Sequence, residues 1–271
     1  VDEQPAITSF QNPLVKRIRS LKYKKYRQRQ GVFWAEGIRN VLEALDTGWE
    51  IEMLVWSPSL LRSDLARQKL AQSTLPTVAV SEAVFARLSD SELPQGLGAL
   101  VRIPQRGLDH ISIGPDALLI VLEQPQDRGN VGAVVRTADA AGGCGVVLVG
   151  QAVDPFDPEA LRTAMGALFA LPVVSAELGE FLEWARAHRL HLMGTSARAE
   201  KDFRQLPYPR PLALVFGNER SGLSDPLRQA VHALARIPIL GRANSLNLGA
   251  AVAIMAYQAQ GTWQASSALC P

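Results

Sequence analysis

Apolar residues along this chain alternate between two rhythms. Before residue 105, compact apolar runs at 32–35, 51–56, 77–80 and 97–103 read as strands. Between them, apolar residues recur at three- and four-residue intervals over 38–45, 60–70 and 83–88, which predicts helices. Beyond residue 116 the strands become almost continuously apolar, at 118–122, 146–149, 190–194, 212–216 and 235–239, with helical patterns at 131–141, 158–164, 178–187 and 226–233. Strands without a polar face, separated by helices, predict a mostly parallel sheet covered on both sides. The stretch 104–115 is rich in Pro and Gly and poor in apolar periodicity, and is expected to link two α/β domains.

Three strand ends in the second half carry the candidate chemistry. The strand 118–122 runs into Gln126-Asp127-Arg128-Gly129-Asn130-Val131-Gly132 and then into a helical pattern bearing Arg136. The strand 212–216 runs into Gly217-Asn218-Glu219-Arg220-Ser221-Gly222, and the strand ending near Ile239 leads to Ser245-Leu246-Asn247 and a small-residue helix ending near Gln260. Ligands of open α/β sheets bind outside the carboxyl ends of strands, so the three segments are expected to share one site. Asn130 stands where a helix N-cap belongs. Arg136 falls off the apolar stripe of its helix. Because helical side chains lean toward the N-terminus, its guanidinium is expected to reach back toward the loop, where it would suit a phosphate or a developing oxyanion; an ordinary surface ion pair is the alternative. Gly217 would admit a ligand close to the backbone, Glu219 is a lone acid in its turn, and Pro238 implies an edge or irregular path.

Charge changes the picture only locally. The net charge is +2, yet eight of the 28 basic residues fall between Lys16 and Arg29 with no acid among them, leaving 20 against 26 acids elsewhere. Tyr23 and Tyr26 are interleaved with these cations. Lys16, Arg17, Lys22, Lys24, Lys25 and Arg27 are therefore candidate nucleic-acid contacts, able to neutralise phosphates beside rings on which unpaired bases can stack; a solvated amphipathic helix is the alternative. The polar start at 1–5, the lack of a membrane-length apolar run and only two cysteines, Cys144 and Cys270, are read as a soluble, cytoplasmic chain without disulfides.

The runs Gly129 through Ala140, Phe216 through Gly222, and Ile237-Pro238 through Ser245-Leu246-Asn247 together resemble the three motifs of the SpoU branch of the SPOUT RNA methyltransferases. Asn12-Pro13, the basic stretch from Lys22 to Arg27, Glu36-Gly37 and Pro94-Gln95-Gly96 are similar to the substrate-binding domain, related in fold to a ribosomal protein of the L30e type, that precedes many members. The resemblance implies an RNA substrate-binding domain over 1–105, a linker over 106–116 and a catalytic domain over 117–271 containing a trefoil knot. It also implies a homodimeric active site that transfers a methyl group from S-adenosyl-L-methionine to a ribose 2'-hydroxyl, with ribosomal RNA favoured over transfer RNA; separately, the lack of clustered Cys or carboxylate ligands beside the histidines argues against a metal. By motif position, Thr195, Gly217, Ile237, Ile239 and Leu246 would line the cofactor pocket, and Asn130, Arg136, Glu219, Ser245 and Asn247 would form the catalytic neighbourhood. A guanidinium rarely gives up its proton, so orienting the nucleotide and stabilising an incipient alkoxide suits Arg136 better than acting as a base. The chain departs from the pattern at Asn218, where Ser or Ala is common, at Gly249, and at Gly142-Gly143-Cys144-Gly145.

Other classes fit less well. The Gly129 to Gly132 turn lacks the glycine spacing of a dinucleotide fold, and no strand-end acid follows about 20 residues later. A non-catalytic RNA-binding protein would need only the basic stretch. His188 and His191, three apart on a possible helix, read as a surface pair; His110 and His232 stand alone; Cys144 reads as a small buried residue.

Overall fold

The structure, a computed structural model, describes residues 6–268. The polar start at 1–5 and Cys270 lie outside the described residues. The chain forms two compact units: Val1–Gln105 with Phe156–Ala170, and Arg106–Pro155 with Leu171–Pro271.

The first unit opens with α1 (Pro13–Ser20) and α2 (Lys24–Gln30), continues through β1 (Val32–Glu36), α3 (Ile38–Asp46), β2 (Ile51–Trp56), α4 (Asp64–Gln72), β3 (Thr77–Ala79) and α5 (Glu82–Leu88), and reaches β4 (Leu97–Arg102). Its sheet order is β1-β4-β2-β3, with β4 antiparallel to both neighbours and β3 parallel to β2. Val15, Ile18 and Leu21 pack with Trp34, Val84 and Phe85 in the core, so the basic stretch rests on an apolar underside. Asn12 accepts from the Leu14 amide at 2.9 Å and Pro13 takes the first helical position, which together start α1. Gly37 has φ +97, and the Gln95 side chain accepts from the Ile38 amide at 2.9 Å, so Gln95 caps α3 across 57 residues of sequence.

The second unit begins with β5 (Leu118–Glu123), α6 (Arg128–Ala140) and β6 (Gly145–Val149). The helices α7 (Pro158–Ala164) and α8 (Ala167–Ala170) then belong to the first unit, where Phe156 stacks on Phe33 with centroids 4.8 Å apart and Phe169 meets Trp49 edge-on at 5.1 Å. The second unit resumes with β7 (Val173–Ala176), α9 (Leu178–Ala187), β8 (His191–Thr195), β9 (Lys201–Asp202), β10 (Leu212–Phe216), α10 (Asp225–Ala230), β11 (Ala233–Arg236) and α11 (Leu248–Ala268). Its sheet runs β7-β6-β5-β10-β8-β11-β9 and every pairing in it is parallel.

The structure departs from the sequence expectations in several places. Leu108 and Ile111, within the supposed linker, are buried against Val147 and Val174 in the core of the second unit. Two short strands, β7 and β9, went unforeseen because four and two residues carry too little periodicity. The strand expected at 235–239 runs from Ala233 to Arg236 and lies between β8 and β9, so of the two expectations for Pro238 the irregular path holds and the edge does not: it lies in irregular chain beyond an interior strand. His188 caps α9 and His191 opens β8, so the two share no helix; His191 stacks on His232 with ring centroids 4.7 Å apart, which removes His232 from isolation.

Candidate active site

The parallel arrangement decides where the site lies. Because β5, β10, β8 and β11 are consecutive neighbours running one way, the loops after Glu123, Phe216, Thr195 and Arg236 all emerge at the same edge of the sheet. They surround a cavity of about 580 Å³. Nine of the ten residues assigned by motif line it: Thr195, Gly217, Ile237, Ile239 and Leu246 from the cofactor set, and Asn130, Glu219, Ser245 and Asn247 from the catalytic set. The tenth, Arg136, is exposed on α6 and lies outside that lining.

Asn130 is not the helix cap. Asp127 holds that position, its carboxylate accepting from the Asn130 amide at 2.6 Å, and Asn130 is the third residue of α6. Relieved of capping, the Asn130 side chain bridges the other two segments. Its Nδ2 donates to Glu219 Oε1 at 3.4 Å, and its Oδ1 accepts from Asn247 Nδ2 at 2.8 Å. The second oxygen of Glu219 accepts from the Gln126 amide at 3.2 Å. Asn247 also caps α11, its Oδ1 accepting from the Gly249 amide at 2.8 Å and from the Ala250 amide at 3.4 Å. Three strand-end segments far apart in sequence thus meet in one side-chain network.

Gly217 is required for a reason other than ligand approach. A Cβ there would stand 2.2 Å from the backbone of Gly222 and Leu223, because the loop folds back into a bridge between Asn218 and Gly222. Beneath it, the buried Glu123 at the end of β5 accepts from the Ser224 amide at 2.8 Å and fixes the entry to α10. Sequence reasoning missed Ser196, Arg198 and Arg228, which also line the cavity. Ser196 follows directly on Thr195 at a strand end and could have been found by that position; the two arginines had no such signal. Arg228 Nη2 donates to Leu223 O at 3.2 Å, which anchors it to the loop.

The cavity has the size range of a small-molecule site, and its lining combines apolar Ile237, Ile239 and Leu246 with polar groups. A nucleoside carrying an amino-acid tail, with both apolar and polar parts, fits such a mixture.

The basic stretch is divided by its own packing. Lys16, Lys22, Lys24 and Lys25 are exposed, with the Lys22 and Lys25 ammonium groups 5.5 and 5.0 Å from the Tyr23 and Tyr26 ring centroids. Arg17 donates to both carboxylate oxygens of Glu52, the Nη2 contact being 3.0 Å, and to Gln30. That pairing holds the Glu52 carboxyl below its ordinary range. Arg27 is a correction to the candidate RNA contacts: it is 1% exposed, donates to the carbonyls of Leu21 and Lys22, and pairs with Asp157 at 3.3 Å. The acids absent from the local sequence arrive from β2 and from the cap of α7.

Among the described residues no group of three or more His, Cys, Asp or Glu could hold a metal, and no helix is long and apolar enough to cross a membrane. Burial pushes the Cys144 thiol up to about 11, which suits a packed residue and not a nucleophile.

Known proteins share this organisation. The model of the SpoU rRNA Methylase family matches residues 117–257, and that of an MRM3-like substrate binding domain matches residues 12–99. The chain is 32% identical over 240 residues to the 23S rRNA (uridine(2479)-2'-O)-methyltransferase of Streptomyces viridochromogenes, covering 86% of this chain and 84% of that protein. It is 31% identical to the 23S rRNA (guanosine(2553)-2'-O)-methyltransferase RlmP of Bacillus subtilis, covering 94% and 99%. Among solved structures, the AdoMet-bound rRNA methyltransferase from Sinorhizobium meliloti superposes with a TM-score of 0.86 at 36% identity, over 95% of this chain and 97% of that one. The fold, the matched segments and relatives of nearly equal length lead to one conclusion: this chain belongs to the SpoU rRNA methylase family.

Proposed function

We propose that this protein transfers a methyl group from S-adenosylmethionine to a ribose 2'-hydroxyl of ribosomal RNA. The observation that carries the reading is the cavity at the shared strand edge, where nine motif residues line one space beside the Asn130–Glu219–Asn247 network. Relatives named as rRNA 2'-O-methyltransferases, and solved structures described as AdoMet-bound, support the reaction and the cofactor.

Thr195, Gly217, Ile237, Ile239 and Leu246 would hold the cofactor, chiefly through backbone groups where the chain leaves the sheet. When bound, the cofactor supplies an electrophilic methyl carbon on a sulfonium. The chain's own residues then have to place a poorly nucleophilic hydroxyl in line with that carbon, roughly 3 to 3.5 Å away, and this positioning accounts for much of the rate. Asn130, Ser245 and Asn247 offer amide and hydroxyl groups to orient the ribose. Glu219, held by the Gln126 amide and Asn130, presents a fixed carboxylate beside them. Arg136 would stabilise the incipient alkoxide or grip the adjoining phosphate.

Because Arg136 lies outside its own chain's cavity, we assign it to the cavity of a second copy, in keeping with the homodimeric site that the family resemblance implies. Within the first unit, Lys16, Lys22, Lys24 and Lys25 are the cations placed to meet RNA phosphates, with Arg17 in a secondary role beside Glu52. A substrate-binding part over 1–105, a connection over 106–116 and a catalytic part over 117–271 remain part of this reading, and the matches to residues 12–99 and 117–257 support its two halves. The trefoil knot is carried as an implication of the family resemblance.

The test combines calorimetry with S-adenosylmethionine and mass-spectrometric mapping of ribose methylation in RNA from cells with and without the gene. One lost 2'-O-methyl site in ribosomal RNA is expected. A lost site in transfer RNA would reassign the substrate, and absence of cofactor heat up to millimolar ligand would leave a non-catalytic RNA-binding protein.

A further inference from the structure

Asn218 is the residue at which the second motif departs from the pattern, and nothing in the reaction described so far uses it. Its side chain makes four hydrogen-bond contacts on the cavity rim. Nδ2 donates to Gln124 O at 2.8 Å, across 94 residues of sequence. Oδ1 accepts from the Arg220 amide at 2.9 Å and the Ser221 amide at 3.2 Å, and lies 3.3 Å from the Ser221 hydroxyl. The backbone of Asn218 also exchanges two hydrogen bonds with Gly222, at 3.1 and 2.8 Å.

The partner on the far side is unusual in its own right. Gln124 is a non-glycine residue at φ +47, a left-handed conformation that L side chains seldom adopt without outside support. It opens the loop that leads through Gln126 to Asn130, and the Gln126 amide in turn donates to Glu219 Oε2. The two loops are therefore fastened at two points, Asn218 to Gln124 and Gln126 to Glu219. The first bond sits one residue before Glu219 and two before Gln126, so it sets the approach that the second one needs. A Ser or Ala at 218 could cap the turn or leave it bare, but neither reaches Gln124 O.

We infer that Asn218 is a positioning residue that latches the loop after β10 to the loop after β5 and thereby fixes Glu219 against Asn130. This inference rests on the proposed methyl transfer and adds to it the device that holds its carboxylate in place. It acts on alignment of the ribose and not on cofactor capture, because the Asn218–Gly222 bridge that shapes the turn at Gly217 is made by backbone groups that a side-chain change at 218 leaves in place, and Ile237, Ile239 and Leu246 come from a different segment.

The experiment compares full-length wild type with Asn218→Ser and Asn218→Asp. Ser keeps an acceptor for the turn amides and loses the donor to Gln124. Asp keeps the acceptor and turns an oxygen toward the Gln124 carbonyl. Single-turnover methylation of ribosomal RNA gives the rate, calorimetry gives cofactor affinity and thermal melting reports folding. Both variants are expected to lose at least about fivefold in rate, the scale of one hydrogen bond, with cofactor Kd within about threefold of wild type. A second arm places Asn218→Ser on a Glu219→Gln background, where the rate loss should shrink toward nothing because the latch acts through Glu219. Unchanged rates, or a full loss that persists without Glu219, would overturn the inference. A fall in cofactor affinity matching the fall in rate would also overturn it, since it would mark a general loosening of the pocket. If wild type binds the cofactor and methylates RNA, such results remove the latch alone; if wild type does neither, the proposed function itself fails.

Discussion

The side-chain amide of Asn247 donates to Asn130 Oδ1 at 2.8 Å while its carbonyl oxygen caps α11, so one residue both starts a helix and ties it to a segment 117 positions earlier. The two duties separate under mutation. Asn247→Asp keeps the cap and loses the donor, and its melting temperature should stay near wild type while methylation falls. Asn247→Ala loses both and should also cost about 1 kcal/mol of stability, the usual worth of a cap. Thermal melting beside a methyl-transfer assay distinguishes them; equal activity in the Asp variant and wild type would remove the Asn247–Asn130 bond from the mechanism.

Arg136→Ala is expected to abolish methyl transfer and leave cofactor affinity within a few-fold, because Arg136 lies outside the cavity lining of its own chain. Mixing Arg136→Ala with Glu219→Ala subunits under exchange conditions should restore part of the activity, since one of the two sites in a mixed dimer would then be intact. Persistent inactivity of the mixture would place both residues in the same chain's site.

Lys22, Lys24 and Lys25 are exposed and Arg27 is buried, so their substitutions should separate RNA binding from folding. Replacing the three lysines with Gln should weaken RNA binding and lower the slope of log affinity against log salt by roughly 3, near one per lost phosphate contact. Arg27→Ala removes the buried ion-pair partner of Asp157 and should cost roughly 3 to 5 kcal/mol of stability, as breaking a buried pair does. The salt slope, measured below the variant's melting temperature, should then match wild type.

Gly217→Ala forces a Cβ to within 2.2 Å of the Gly222–Leu223 backbone. The turn must open, and Glu219 moves with it. Overpacking of this kind typically costs about 1 to 3 kcal/mol, and calorimetry should show weaker cofactor binding. Wild-type affinity in this variant would mean that the turn tolerates rearrangement.

The stacked His191 and His232 rings make a pH prediction. Burial first, and the neighbouring His232 second, hold the His191 pKa below its ordinary 6.5. The folded state therefore favours neutral His191, and the unfolded chain takes up the proton first as pH falls. Stability contributed this way is complete above about pH 6.5 and is lost on acidification below it. Melting temperatures should drop between about pH 7.5 and 5 in wild type, and less steeply in His191→Gln. Parallel profiles in the two proteins would assign the acid sensitivity elsewhere.

Much of the architecture follows from local rules that a sequence displays. The apolar runs at 118–122 and 212–216 appear as fully buried β5 and β10, since strands covered on both faces must be apolar throughout. Three strand ends rich in Gly, Asn and Ser converge on one cavity because parallel neighbours leave the sheet at a common edge. Short or tertiary-dependent elements were illegible. The strand β7 is four residues long, and the buried Leu108 and Ile111 sit among breakers, where only contact with Val147 and Val174 explains their burial.

What the sequence determined by itself is therefore the longer elements and the mostly parallel sheet, because periodicity and turn chemistry act over a few neighbours; the candidate site residues came from the family resemblance. Tertiary structure decided which charges are free and which groups touch. Arg17 and Arg27 read as uncompensated cations until Glu52 and Asp157 arrive from distant parts of the chain, and Asn130 read as a cap until Asp127 took that position and released its amide toward Glu219 and Asn247. Electrostatic pairing and hydrogen bonding depend on distance through space, and separation along the chain does not encode it.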